Sequence, residues 1–241
     1  MKALRIHALE SANVVSKAGC EQLVRLLRSY DETHQVVVLS PLKEEKLELA
    51  SLLTLAKERD ERLWSVQEQR FKAWNGVIES VLPIALSSEV IARIKSGFSD
   101  IEDLLRSVWL VEEISEPVVR HTERLVSGWV ADLVCHWALF QEIDARIAQY
   151  DQLTEALVAN HSLLIVYGTL PQGEATNPTE ERSEYAASHL AGRFSASGVT
   201  FWNNTALLKS ADEREVPSAQ VIRTLSYSEA SELSFFGSPI I

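Results

Sequence analysis

Glycine is scarce in this chain, and where it occurs it is isolated. The nine glycines among 241 residues are never adjacent and never spaced as G-x-G. A backbone that wraps a phosphate needs consecutive N–H groups unshielded by side chains. A glycine-rich phosphate cradle therefore has no candidate. Cysteine is nearly absent too: Cys20 and Cys135 are the only two. Both lie in apolar helical patterns far apart, which excludes a disulfide framework and predicts buried, reduced thiols. No apolar run reaches about 18 residues, the length a membrane-spanning helix needs, and the apolar run after Met1 is too short for a signal peptide. A cytoplasmic location is the expectation. Lys and Arg total 23 against 34 Asp and Glu, a net charge of −11. That argues against nucleic acid as a partner and offers a polyphosphate no long-range attraction. His121 and His136 are too far apart on one predicted helix to share a metal, and Cys135-His136 has no second pair at ligand spacing, so no metal site is expected. No G-x-S-x-G nucleophile elbow occurs either.

What the chain does have is alternation. Ala3 to His7 is a short apolar segment that predicts a first strand. A helix over about 15–30 follows, with Cys20, Leu23, Val24 and Leu27 on one face. His34 to Ser40 carries Val36-Val37-Val38-Leu39, the continuous β-branched run of a strand buried on both faces. The segment 42–140 is helix-rich. Pro83 and a turn at Gly97-Phe98-Ser99-Asp100 are expected to divide it, and Ser115-Glu116-Pro117 opens its last helix with Pro near N1. Five tryptophans, Trp64, Trp74, Trp109, Trp129 and Trp137, lie in these helical patterns and predict core packing. Further on, Ile143 to Ile147 predicts a strand, Asp151 to Asn160 a helix, and Leu163 to Tyr167 a strand. Asn177-Pro178-Thr179-Glu180 reads as the cap of a helix reaching Phe194. Val199 to Trp202 is a further strand, and Ser226-x-x-Glu229 is a capping box that opens the last helix. Strands alternating with helices predict an α/β fold, a three-layer αβα sandwich around a mainly parallel sheet. No linker or repeat is evident, so 1–241 reads as a single domain carrying a helix-rich insert.

The tail from Phe201 to Gly237 is the most specific stretch. Its Ala211-Asp212, Arg214, Val216-Pro217, Ala219, Leu225-Ser226-Tyr227, Glu229-Ala230, Glu232-Leu233 and Phe236-Gly237 resemble the end of the aspartokinase catalytic domain, in the amino acid kinase family. There the pattern is W-T-D-V-D-G-V-Y-T-A-D-P-R, V-P-x-A, then L-S-Y-x-E-A-x-E-L-x-x-F-G. Met1 to Asn13 resembles the family's opening M-K-V-L-K-F-G-G-T-S-V-A-N. Thr122-Glu123-Arg124-Leu125 is similar to G-E-R-L, Ile143-Asp144-Ala145-Arg146 to I-D-A-R, and Thr179 to Tyr185 to G-R-G-G-S-D-Y. All blocks keep the family's order, so the resemblance spans nearly the whole chain. Family members usually continue into small regulatory domains, and none follows Gly237 within these 241 residues.

The resemblance implies ATP-dependent phosphorylation of aspartate, but the positions that would handle phosphate are changed. The family lysine is Arg5, its two glycines are His7 and Ala8, and its T-S is Leu9-Glu10. In the second loop Lys43-Glu44 stands for G-G and Lys46-Leu47 for T-D. Thr179-Glu180-Glu181-Arg182 stands for G-R-G-G. Asn203, Asn204, Ala206 and Leu207 replace T, D, D and G of the nucleotide motif. The substrate-binding positions that survive are Glu123, which matches the glutamate that helps hold the amino acid, Ser183 and, conservatively, Glu184. Because phosphoryl transfer depends on positioning and charge neutralisation, these changes predict an aspartokinase-like pseudoenzyme with a structural, regulatory or ligand-sensing role. No cofactor is expected on that reading; Mg-ATP belongs only to the alternative, an active kinase with a site rebuilt around Arg5, Lys43, Arg182 and Lys209. A third reading is an interaction subunit working with a protein partner or as a homo-oligomer. An amino acid such as aspartate is the ligand the resemblance suggests.

Overall fold

The computed structural model describes residues 3–30, 34–168, 183–202, 210, 216 and 218–235. Its β-branched and Leu-rich runs form a five-stranded parallel sheet: β1 (Leu4–Leu9), β2 (His34–Leu39), β3 (Ala145–Gln149), β4 (Leu163–Tyr167) and β5 (Gly198–Trp202). The order across the sheet is β3-β4-β2-β1-β5. Register runs from Leu4↔His34 to Leu9↔Leu39 between β1 and β2, and from Gln35↔Leu163 to Val38↔Val166 between β2 and β4.

Residues alternate between the two faces along each strand. The even-numbered residues Ile6, Ala8, Val36, Val38, Leu164 and Val166 form one apolar cluster with α6 (Glu155–Asn160) and α7 (Ser183–Arg193). The odd-numbered residues face α1 (Lys17–Arg28) and α5 (Glu116–Phe140): Gln35 Nε2 donates to the carbonyls of Leu27 (3.0 Å) and Tyr30 (3.1 Å), and Cys135 Sγ lies 3.5 Å from the Ala145 carbonyl. Helices on both faces complete the three-layer sandwich. The insert adds α2 (Lys43–Lys57), α3 (Arg62–Val81) and α4 (Ile84–Val111), which pack with α5. Their core is aromatic: Trp129 stacks on Phe98 with centroids 4.6 Å apart and meets Trp74 edge-on at 5.5 Å.

The insert corrects one boundary and adds another. Gly97 to Asp100 is no turn; α4 runs through it unbroken. Gly97 is there for close approach: a Cβ would lie 2.7 Å from Trp129 Nε1. The break between α2 and α3 has neither Gly nor Pro. Arg59 takes a left-handed φ of 54° and donates through Nε to the Trp109 carbonyl at 3.0 Å, while Asp60 Oδ1 accepts from the Arg62 N–H at 2.9 Å. Pro83 does separate α3 from α4, and Ser115 precedes α5 with Pro in its first turn. The expected 151–160 helix is shorter, a 3₁₀ turn over Tyr150–Gln152 and then α6 capped by Thr154. Both cysteines are buried free thiols.

Residues 1–201 and 202–241 form two separate compact units. In the second, α8 (Tyr227–Phe235) begins with the expected capping box: Glu229 N–H donates to Ser226 Oγ at 3.3 Å, and Ser226 N–H to Glu229 Oε2 at 2.8 Å. Gly237 and the Asn177 cap lie outside the described residues.

Candidate functional site

In an open parallel sheet, ligands bind beyond the carboxyl ends of the strands. Just past β1 and β2 the two chain segments are tied to each other. Ser11, buried just past β1, donates through Oγ to the Ser40 carbonyl just past β2, and its N–H reaches Ser40 Oγ at 3.2 Å. The Asn13 carbonyl then packs against the first turn of α1, so closely that a Cβ on Gly19 would overlap it at 1.9 Å. His7 and Ala8, at the family's glycine-pair positions, are not in a loop at all. They lie inside β1, 0% and 2% exposed, one on each face of the sheet. His7 Nε2 sits 3.2 Å from Gln35 Oε1. Burial pushes its pKa down to about 4, against the Gln35 hydrogen bond and aided by the nearby Arg5 charge, so the ring is neutral at pH 7.

Arg5 is in the amino-terminal half of β1, opposite Gln35. Four residues of strand, roughly 13 Å, separate it from Leu9. Its guanidinium lies 4.6 Å from the centroid of the Tyr30 ring, and its Nε is buried without a hydrogen-bond partner. Lys43, at the second glycine-pair position, is the first residue of α2. One turn on, Lys46 Nζ is 3.5 Å from Glu123 Oε1, with both side chains about three-quarters buried. The glutamate at the position that the resemblance assigns to substrate is thus engaged by Lys46. Ser183 is buried at the start of α7, its Oγ 3.3 Å from Glu184 Oε2. That helix covers the face of the sheet opposite α5 and Glu123. Asn203 and Asn204, with Thr179 to Arg182 and Lys209, lie outside the described residues.

The structure instead gathers a polar groove that sequence reasoning missed. It lies between α4 and α5 at the carboxyl ends of β3 and β4 and encloses about 330 Å³. Arg93 and Asp100 of α4, Arg124 and Asp132 of α5, and Gln149 and Tyr167 at the strand ends line it. Arg93 Nη1 binds Asp132 Oδ1 at 2.6 Å, and Arg93 also reaches Glu89 and His136 Nε2 (3.1 Å). His136 Nδ1 is 2.8 Å from the Asp132 carbonyl, so it donates there and leaves Nε2 to accept from Arg93. Burial holds the Asp132 pKa above its ordinary value, with the Arg93 charge opposing. The legible hint was Asp132 itself, a lone carboxylate inside the apolar run Trp129 to Val134. Among the described residues no three His, Cys, Asp or Glu side chains are grouped to hold a metal ion, and no helix is long and apolar enough to cross a membrane.

Comparison with known proteins agrees with this architecture. The model of the amino acid kinase family matches residues 113–241, more than half of the chain. A chloroplastic bifunctional aspartokinase/homoserine dehydrogenase of Arabidopsis thaliana is 24% identical over 98% of this chain and 29% of its own length. The Haemophilus influenzae bifunctional enzyme is 39% identical over 29% of this chain and 9% of its own. The chain therefore spans less than a third of these curated relatives. The fold is shared with E. coli aspartokinase III, solved with aspartate and ADP (TM-score 0.71, 16% identity, 98% of this chain and 57% of that one) and with lysine and aspartate (TM-score 0.74, 15% identity, 99% and 57%). By sequence and by fold, the chain belongs to the amino acid kinase family, and the relatives it resembles are aspartokinases.

Proposed function

We propose that this aspartokinase-like domain does not transfer phosphate and serves a structural, regulatory or ligand-sensing role. The observation that carries the proposal is the burial of His7 and Ala8 within β1. A phosphate cradle needs exposed backbone N–H groups, whereas these residues belong to a strand that pairs with β2 along its whole length. The Ser11–Ser40 contact supports the same reading by tying together the segments that follow both strands. Arg5, the only remaining cation at the family lysine position, lies over Tyr30 near the opposite end of the strand. Losing a single transition-state donor costs roughly 10² to 10³ in rate, and here the lysine and two glycine pairs are changed together. The experiment is a phosphotransfer assay with Mg-ATP and aspartate, run beside a calorimetric titration with Mg-ATP. The expected result is no turnover and no micromolar ATP binding. Micromolar binding with turnover would instead establish a working kinase with a rebuilt site.

A further inference from the structure

The two ends of α5 carry opposite surfaces, and neither includes a position that the family resemblance assigns to ATP or aspartate. At the carboxyl end a groove of about 370 Å³ lies between α5 and α1. Trp137 and Phe140 of α5 form its apolar wall, with ring centroids 5.8 Å apart and Phe140 48% exposed. Lys17, Arg25 and Arg28 of α1 line it against one carboxylate, Glu21. That balance is the reverse of the whole chain, with its 23 Lys and Arg against 34 Asp and Glu. Arg28 Nη2 is held by the Gln141 carbonyl at 2.9 Å, whereas Lys17 and Arg25 are exposed and enter no ion pair among the described residues. Trp137 is 3% exposed, and its indole N–H is buried without an acceptor. Most buried donors have one, so a groove walled by cations and this indole suits an occupant that brings carboxylate oxygens.

At the amino end of α5 the chain leaving α4 is apolar and acidic. Leu110 and Val111 are 75% and 67% exposed, and Glu112, Glu113 and Glu116 follow. Glu112 turns the chain out of α4 with a φ of 58° and pairs with Arg59 at 2.7 Å. Glu113 is exposed and pairs with no cation among the described residues. Exposed aliphatic side chains beside a free carboxylate complement an aromatic groove beside free cations. One molecule cannot bring the two together, because Glu116 and Trp137 are about 31 Å apart along α5 at 1.5 Å per residue. Two molecules can. We infer that segment 110–116 of one copy docks in the α1–α5 groove of another, with its aliphatic side chains on Phe140 and Trp137 and Glu113 against Arg25. The net charge of −11 repels two copies at long range, but physiological salt screens that repulsion beyond about 8 Å, and the docked groups meet inside that distance. Because the two surfaces differ, the contact is head-to-tail and builds rings or open chains. This association is one form of the structural role proposed above and does not require the loss of phosphotransfer.

The test is sedimentation velocity of the full chain from about 5 to about 500 μM, a range suited to the weak association of a small interface. The mean mass should rise with concentration. Arg25→Glu and Glu113→Arg are exposed positions whose replacement leaves the fold intact by circular dichroism. Each should weaken association about tenfold, and the two combined in one chain should restore it to within about threefold. Leu110→Asp and Arg25→Glu chains, each monomeric alone, should pair one to one when mixed, because the first keeps the groove and the second keeps the segment. A chain that stays monomeric over the whole range overturns the inference, whatever the groove then takes. So does association that both charge reversals leave unchanged, or that the double reversal fails to restore. Phosphotransfer measured on the same samples tests the other proposal separately, because turnover would refute that one and leave the association untouched.

Discussion

Mild acid should destabilise this protein through His7. The ring is fully buried on the α1-facing side of β1, and burial holds its pKa near 4 against an ordinary 6.5. The folded state therefore refuses a proton that the unfolded chain accepts. The contribution is fully present above pH 6.5 and is lost progressively as the pH falls toward 4, because across that window the unfolded state binds more protons. With those two values, His7 alone removes about 2 kcal/mol between pH 8 and pH 5, and about 3 kcal/mol by pH 4. Against a typical domain stability of about 5–15 kcal/mol, this is a substantial fraction. The assay is urea unfolding followed by tryptophan fluorescence at half-unit steps from pH 8 to 4.5, for the native chain and for His7→Leu. The substitution lowers stability at pH 8, because it removes the Gln35 partner, but it should flatten the acid limb by about 2 kcal/mol at pH 5. Other titrating groups are common to both proteins and cancel in the difference. Parallel acid limbs would refute the reasoning, since His7 would then have the same proton affinity folded and unfolded.

Two glycines in neighbouring helices should respond oppositely to the same change. Gly76→Ala on α3 meets open space and should stabilise by about 0.5–1 kcal/mol through helix propensity. Gly97→Ala drives a methyl to 2.7 Å from a Trp129 ring held between Phe98 and Trp74, so overpacking of about 1–3 kcal/mol should outweigh the propensity gain; thermal unfolding of both variants checks the signs. Ser226→Ala removes the α8 cap and should speed amide exchange in the first turn of that helix roughly fivefold, read by hydrogen exchange. Burial raises the Cys20 thiol to about 12 and the Cys135 thiol to about 11, so neither should react with a thiol reagent at pH 8 until the chain is unfolded.

Strand β4 matched its expected limits residue for residue, and β2, α5 and the capping box of α8 came close. Each is announced by its own residues: a β-branched run, a Pro in the first turn, a Ser with Glu three later. Boundaries failed where a distant contact decided them. The α2–α3 break depends on the Trp109 carbonyl, fifty positions along the chain, capturing Arg59. The continuity of α4 through Gly97 depends on where Trp129 lies. The first strand was expected to end at His7, yet β2 extends its pairing to Leu9.

The candidate site divides in the same way. The sequence by itself determined the family, the α/β class, and the absence of glycine from the positions that the family resemblance assigns to phosphate, because chain-order motifs and periodicity are local properties. Only the tertiary structure decided how the residues at those positions are placed. It buried His7 and Ala8 inside a paired strand, turned Arg5 onto Tyr30, and set Lys46 against Glu123. It also brought Arg93 against Asp132 across α4 and α5. That juxtaposition is a matter of helix register between segments remote in sequence, set by how Gly97 admits Trp129, and no local pattern encodes it.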